Sequence, residues 1–73
     1  MTELDARGLK CPLPVLRARK ALKDVAPGAE LRVLATDPSA VKDFTAFCAE
    51  NGHVLVGWTE NASVYTIALR KAG

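Results

Sequence analysis

Histidine, tryptophan and tyrosine each occur once in this 73-residue chain and cysteine only twice, and these scarcities exclude a good deal before any motif is read. One histidine, His53, and two distant cysteines do not make a zinc constellation, so no metal is expected and His53 reads as a surface or strand-edge residue. Few aromatics leave nothing to stack bases on, and a net charge of +2 is too small to mark a phosphate-binding face, so direct nucleic-acid binding is not expected. No glycine-rich phosphate loop, Ser/His/Asp arrangement or acid–base carboxylate pair can be assembled. Apolar runs extend only a few residues, and the start Met1-Thr2-Glu3-Leu4-Asp5 has neither a basic n-region nor an apolar h-region. The expectation is therefore a cytoplasmic protein without a membrane span. Two cysteines without an export signal also argue against a disulfide-stapled scaffold, and both thiols are expected reduced.

What is present suffices for one domain spanning residues 1–73. Apolar residues make up 49% of the chain and are interspersed with charge, a composition that folds, although this length is near the limit for an unaided core. Leu4 and Ala6 alternate with Asp5 and Arg7 before Gly8, which predicts a short first strand and a turn. A helix is expected from Cys11, with Pro12 in its first turn. Val15, Ala18, Leu22 and Val25 share its apolar face, and Pro27-Gly28 stops it. Leu31, Val33 and Ala35 then mark a strand ending at Thr36.

Asp37-Pro38 reads as an N-cap and first helical residue of a second helix. This helix buries Val41, Phe44 and Cys48, with Thr45 and Phe47 flanking, and Asn51-Gly52 ends it in a left-handed turn. Residues 54–58 and 64–69 predict two further strands joined by a turn at Glu60-Asn61-Ala62. The order β-α-β-α-β-β makes an α+β two-layer sandwich, with both helices on one face of a mixed four-stranded sheet. Leu34, Leu55 and Trp58 are expected to form an apolar patch on the opposite face.

Cys11 is the chemical candidate. At a helix start, unpaired backbone N–H groups and the helix dipole favour negative charge on sulfur, and Lys10 and Arg7 could add to the field. A drop of about one unit from about 8.5 would raise the thiolate at pH 7 from about 3% to about 25%. The flanking prolines would hold the sulfur on a rigid, exposed terminus. Cys48, on an apolar helix face, reads as a packing residue. Arg17, Arg19 and Lys20 make the first helix basic, a surface that could guide a partner toward Cys11, or simply a solvated face.

The run Leu4-Asp5-Ala6-Arg7-Gly8-Leu9-Lys10-Cys11-Pro12-Leu13-Pro14 closely resembles the signature of the TusA (SirA-like) sulfur-carrier family, including its Cys-Pro-X-Pro motif. The likeness continues through Pro27-Gly28, Ala35-Thr36-Asp37-Pro38 and Arg70-Lys71. The resemblance implies the same sandwich fold. It makes Cys11 the persulfide-bearing cysteine, with Pro12 and Pro14 shaping its loop and Gly8 and Asp37 in structural roles. It also implies covalent relay rather than stand-alone turnover: sulfane sulfur would come from a cysteine desulfurase or rhodanese-like donor and pass to a downstream acceptor protein. No cofactor is implied beyond the cysteine persulfide itself. Outlets in that family include tRNA thiolation, molybdenum-cofactor supply and sulfur oxidation. Two other classes are compatible with the residues alone: a redox or regulatory module in which Cys11 is oxidised, and a nucleic-acid-binding module using the basic helix.

Overall fold

The computed structural model describes residues 2–72. Its elements are β1 (Thr2–Ala6), α1 (Leu13–Leu22), β2 (Glu30–Ala35), α2 (Ala40–Asn51), β3 (Val54–Asn61) and β4 (Val64–Arg70). The strands lie in the order β1-β2-β4-β3. β1 and β2 pair in parallel, while β4 runs antiparallel to both β2 and β3. The expected mixed-sheet sandwich is therefore present.

Alternation explains which face is covered. Leu31, Val33 and Ala35 of β2 and Ile67 and Leu69 of β4 are fully buried, and the register sets Leu31 opposite Leu69 and Val33 opposite Ile67. These two central strands form the floor of the core. Ala18 and Leu22 of α1 and Ala40, Phe44, Phe47 and Cys48 of α2 close it from above. Phe44 is the largest fully buried side chain and meets Phe47 edge-on at 6.4 Å. Among the described residues no polar or charged side chain is buried, so the core rests on apolar packing alone.

Helix boundaries differ from expectation at the ends that matter for Cys11. α1 begins at Leu13 and not at Cys11, with Pro12 at the cap position. Pro12 has no N–H to offer, and the chain first makes a turn closed by Leu13 N–H to the Lys10 carbonyl at 2.8 Å. Only then does Leu16 N–H reach the Pro12 carbonyl to start the helix. α1 also ends at Leu22. Val25 is buried as expected, but in a tighter tail of bonds spanning three residues, from Lys23, Asp24 and Val25 back to Lys20, Ala21 and Leu22. α2 ends as the sequence predicts: Gly52 adopts φ +74 and donates to the Cys48 carbonyl, a conformation that costs glycine little and other residues more.

The β3–β4 hairpin turns at Ala62-Ser63, both with positive φ, rather than at Glu60-Asn61-Ala62. Two left-handed central residues match the twist of a two-residue hairpin, so pairing continues to Asn61 opposite Val64. The expected apolar patch is only partly present, and β3 carries a bulge between Leu55 and Gly57. Leu55 faces Leu69 and Trp58 faces Ile67, placing both on the helix side, with Leu55 packed against the core. The uncovered sheet face carries Leu34, Val54 and Val56 instead. The extra residue in β3 shifts the alternation by one, so Leu55 and Trp58, three positions apart, share the helix side where strict alternation would separate them.

Candidate functional site

Parallel β1 and β2 deliver their C-terminal ends to the same edge of the sheet. The loop from Arg7 to Pro12 and the connection from Thr36 to Ser39 consequently meet there. Two bonds tie them together: Gly8 N–H donates to Thr36 Oγ1 at 2.9 Å, and Cys11 N–H donates to Asp37 Oδ2. Gly8 sits at φ +81, which lets the loop turn without a Cβ penalty. Cys11 is exposed and opens onto a cleft of about 400 Å³ lined by Gly8, Lys10, Cys11, Thr36, Asp37 and Pro38, among others.

Asp37 is not the N-cap of α2; that position belongs to Ser39, whose side chain makes no capping bond. Pro38 and Ser39 form a turn in which Ala40 N–H donates to the Asp37 main-chain carbonyl at 3.0 Å. This delays the helix by two residues and frees the Asp37 carboxylate to bridge. Its Oδ1 accepts Ser39 N–H at 2.9 Å while Oδ2 accepts Cys11 N–H. These bonds, first from Ser39 and then from Cys11, with the charge of Lys10, hold its carboxyl below the usual range.

The electrostatics of the sulfur reverse the sequence expectation. The Cys11 thiol lies above its ordinary value, chiefly because the nearby Asp43 carboxylate favours its protonated form, with smaller contributions from desolvation and from the charge of Asp37. The prolines that mark the helix start also strip it of donors: neither Pro12 nor Pro14 has an N–H, Leu13 N–H is spent on Lys10, and Cys11 N–H on Asp37. Arg7 does not help the sulfur either. It forms a two-pronged pair with Asp5 at 2.9 Å and holds that carboxyl at about 2. The site presents an exposed thiol whose protonated form is favoured by the carboxylates near it.

Other candidates scatter. Pro14 is buried in the first turn of α1, anchoring the helix under the loop. Arg17 and Lys20 flank a shallow groove of about 610 Å³ whose apolar wall includes Leu4, Leu13 and Leu16. Arg19 projects to another side, 5.7 Å from the Phe47 ring centroid, so the three basic residues do not form one patch. His53 accepts Ala72 N–H on Nδ1 at 2.9 Å and rests 5.4 Å from the Phe47 ring centroid. Cys48 is buried in the core, and burial pushes its thiol up. Asp43 escaped the sequence reading because a carboxylate in the first turn of a helix needs no more explanation than the helix dipole. Thr36 escaped as a strand terminus.

The chain is similar to known proteins along nearly its whole length. The family model described as sulfurtransferase TusA matches residues 2–71. A protein of Neisseria meningitidis serogroup A is 52% identical over 67 residues, covering 92% of this chain and 90% of its own. The sulfur carrier protein TusA of Allochromatium vinosum is 46% identical over 70 residues, 96% of this chain and 92% of its own. The crystal structure of a SirA-like protein from Desulfitobacterium hafniense superposes with a TM-score of 0.86 over the full length of both chains at 24% identity, a likeness of fold.

Proposed function

The chain belongs to the TusA sulfurtransferase family, and on that premise we propose that it is a sulfur carrier that holds sulfane sulfur as a persulfide on Cys11 and relays it between proteins. The observation that carries this reading is the contrast in access: Cys11 is exposed beside a cleft, while the other thiol is buried. A relay needs a sulfur that two different partners can reach in turn, and only Cys11 offers that.

The chemistry balances without an external oxidant. The Cys11 sulfur attacks the outer sulfur of a persulfide on the donor protein, of cysteine-desulfurase or rhodanese-like type. The donor S–S bond breaks, its cysteine leaves as thiolate, and Cys11 becomes the persulfide. In the second half an acceptor's nucleophile takes the terminal sulfur and Cys11 returns as thiolate. The proton initially on Cys11 passes to solvent or to the departing thiolate. No cofactor takes part, because the cargo is itself the covalent group, and the relay operates in the cytoplasm, where both thiols stay reduced.

The test is intact-protein mass spectrometry after incubation with a cysteine desulfurase and cysteine. Wild type is expected to gain one sulfur atom that reductant removes, and Cys11→Ser to gain none. If desulfurase and rhodanese donors both leave wild type unloaded while mild peroxide gives a stable sulfenate, the chain is a redox module rather than a carrier.

A further inference from the structure

The loop bearing Cys11 has little to hold it. Cys11 and Pro12 are exposed, and only Leu9 of the loop packs partly against the core. Beyond the local bonds of Leu9 to Ala6 and Leu13 to Lys10, the loop is tied to the rest of the protein at Gly8 through Thr36 and at Cys11 through Asp37. The second tether acts on the cysteine's own main chain. Its other end is fixed, since the same carboxylate accepts Ser39 N–H in the turn that launches α2. An ionised carboxylate has two acceptor oxygens and no donor, so it suits two converging N–H groups.

We propose that Asp37 is a positioning residue for sulfur transfer: its carboxylate locks the Cys11 main chain to the start of α2 and so fixes where the sulfur is presented to a partner. This inference rests on the carrier reading. Transfer between two proteins requires the attacking sulfur, the transferred sulfur and the leaving sulfur to fall nearly in line, and an error of about 1 Å in such an arrangement can cost about 100-fold in rate. A tether 26 residues away in sequence supplies that definition where the loop's own contacts do not.

At Asp37 two effects that usually move together come apart. The charged groups around Cys11 are Asp43 from α2, Asp37 from the β2–α2 connection, and Lys10 from the loop beside Asp37, with Arg7 turned away onto Asp5. Removing the Asp37 charge makes the thiol easier to ionise, so attack on a small reagent speeds up. Losing the tether makes protein-to-protein transfer slow down. Asp37→Asn keeps the side-chain volume but provides one acceptor and one donor, and cannot satisfy both N–H groups.

The experiment compares full-length wild type and Asp37→Asn in two assays: the pH profile of iodoacetamide alkylation of Cys11, and the maximal rate of sulfur loading from a cysteine desulfurase with cysteine. Asp37→Asn is expected to alkylate with a midpoint at lower pH yet to load about 10- to 100-fold more slowly at saturating carrier. Equal loading rates for wild type and variant would overturn the inference. Amide hydrogen exchange of Cys11 in wild type keeps the question open to measurement should the variant unfold: protection is expected, and exchange at the rate of an unstructured peptide would contradict it. A wild type that takes up no sulfur defeats the carrier reading itself, an outcome distinct from a loading wild type with an equally fast variant.

Discussion

Cys11 and Cys48 are the same residue type in two regions built on opposite principles. Around Cys48 the protein is all apolar packing: Phe44, Phe47, Ile67 and Leu69 are buried, and no polar side chain among the described residues shares that space. Around Cys11 the loop from Arg7 to Pro12 is exposed apart from Leu9, and its order comes from backbone hydrogen bonds to Thr36 and Asp37. The core region sets stability and the loop region sets chemistry. Both thiols are pushed up, but for different reasons: Cys48 by burial, Cys11 chiefly by the nearby Asp43 carboxylate. Desolvation contributes at Cys11 too, but there the Asp43 carboxylate is the larger cause.

If the division is real, substitutions in the two regions should have separable effects. The largest belongs to the core. Phe44→Ala removes the biggest fully buried side chain and is expected to cost about 3–5 kcal/mol in urea unfolding, a large part of the about 5–15 kcal/mol available to a small domain. A loss below about 1 kcal/mol would mean that the packing around α2 is not as described. Cys48→Ser places a hydroxyl in the same apolar space and should cost about 1–2 kcal/mol while leaving sulfur loading at the wild-type rate under conditions where the variant is folded. Slower loading by the folded variant would break the separation.

The smallest expected effect falls on the loop region. Asp43→Asn removes the carboxylate that chiefly raises the Cys11 thiol. The sign follows directly: the carboxylate favours the protonated thiol, so without it the thiolate forms at lower pH and alkylation at neutral pH becomes faster. Stability should change by less than about 0.5 kcal/mol, as expected of a surface site. An alkylation midpoint that stays in place or rises would show that Asp43 does not act on the sulfur.

Legibility in the sequence follows the same division. The core region is readable because period-two and helical spacing report burial directly: alternation places Leu31, Val33 and Ala35 inward, the helix face does so for Cys48, and Asn51-Gly52 marks the end of α2. The Cys11 site was readable as a location, through its proline-flanked motif, but not as an electrostatic environment. Proline signals where a helix can start, and says nothing of the N–H groups it withholds from the sulfur. The bridge from Asp37 to Cys11 and the approach of Asp43 join residues 26 and 32 positions apart in the chain through tertiary packing, and no local pattern encodes them. The bulge that carries Trp58 to the helix side was hidden for a related reason, since one unpaired residue leaves no mark on composition.

The central claim, that the chain carries sulfur on Cys11 and not on Cys48, is tested most directly by loading the unmodified wild-type protein, digesting it and mapping the added sulfur by peptide mass spectrometry with both cysteines present. The account expects one reducible sulfur atom on the peptide containing Cys11 and none on the peptide containing Cys48. Sulfur found on Cys48, or divided equally between the two, would contradict it.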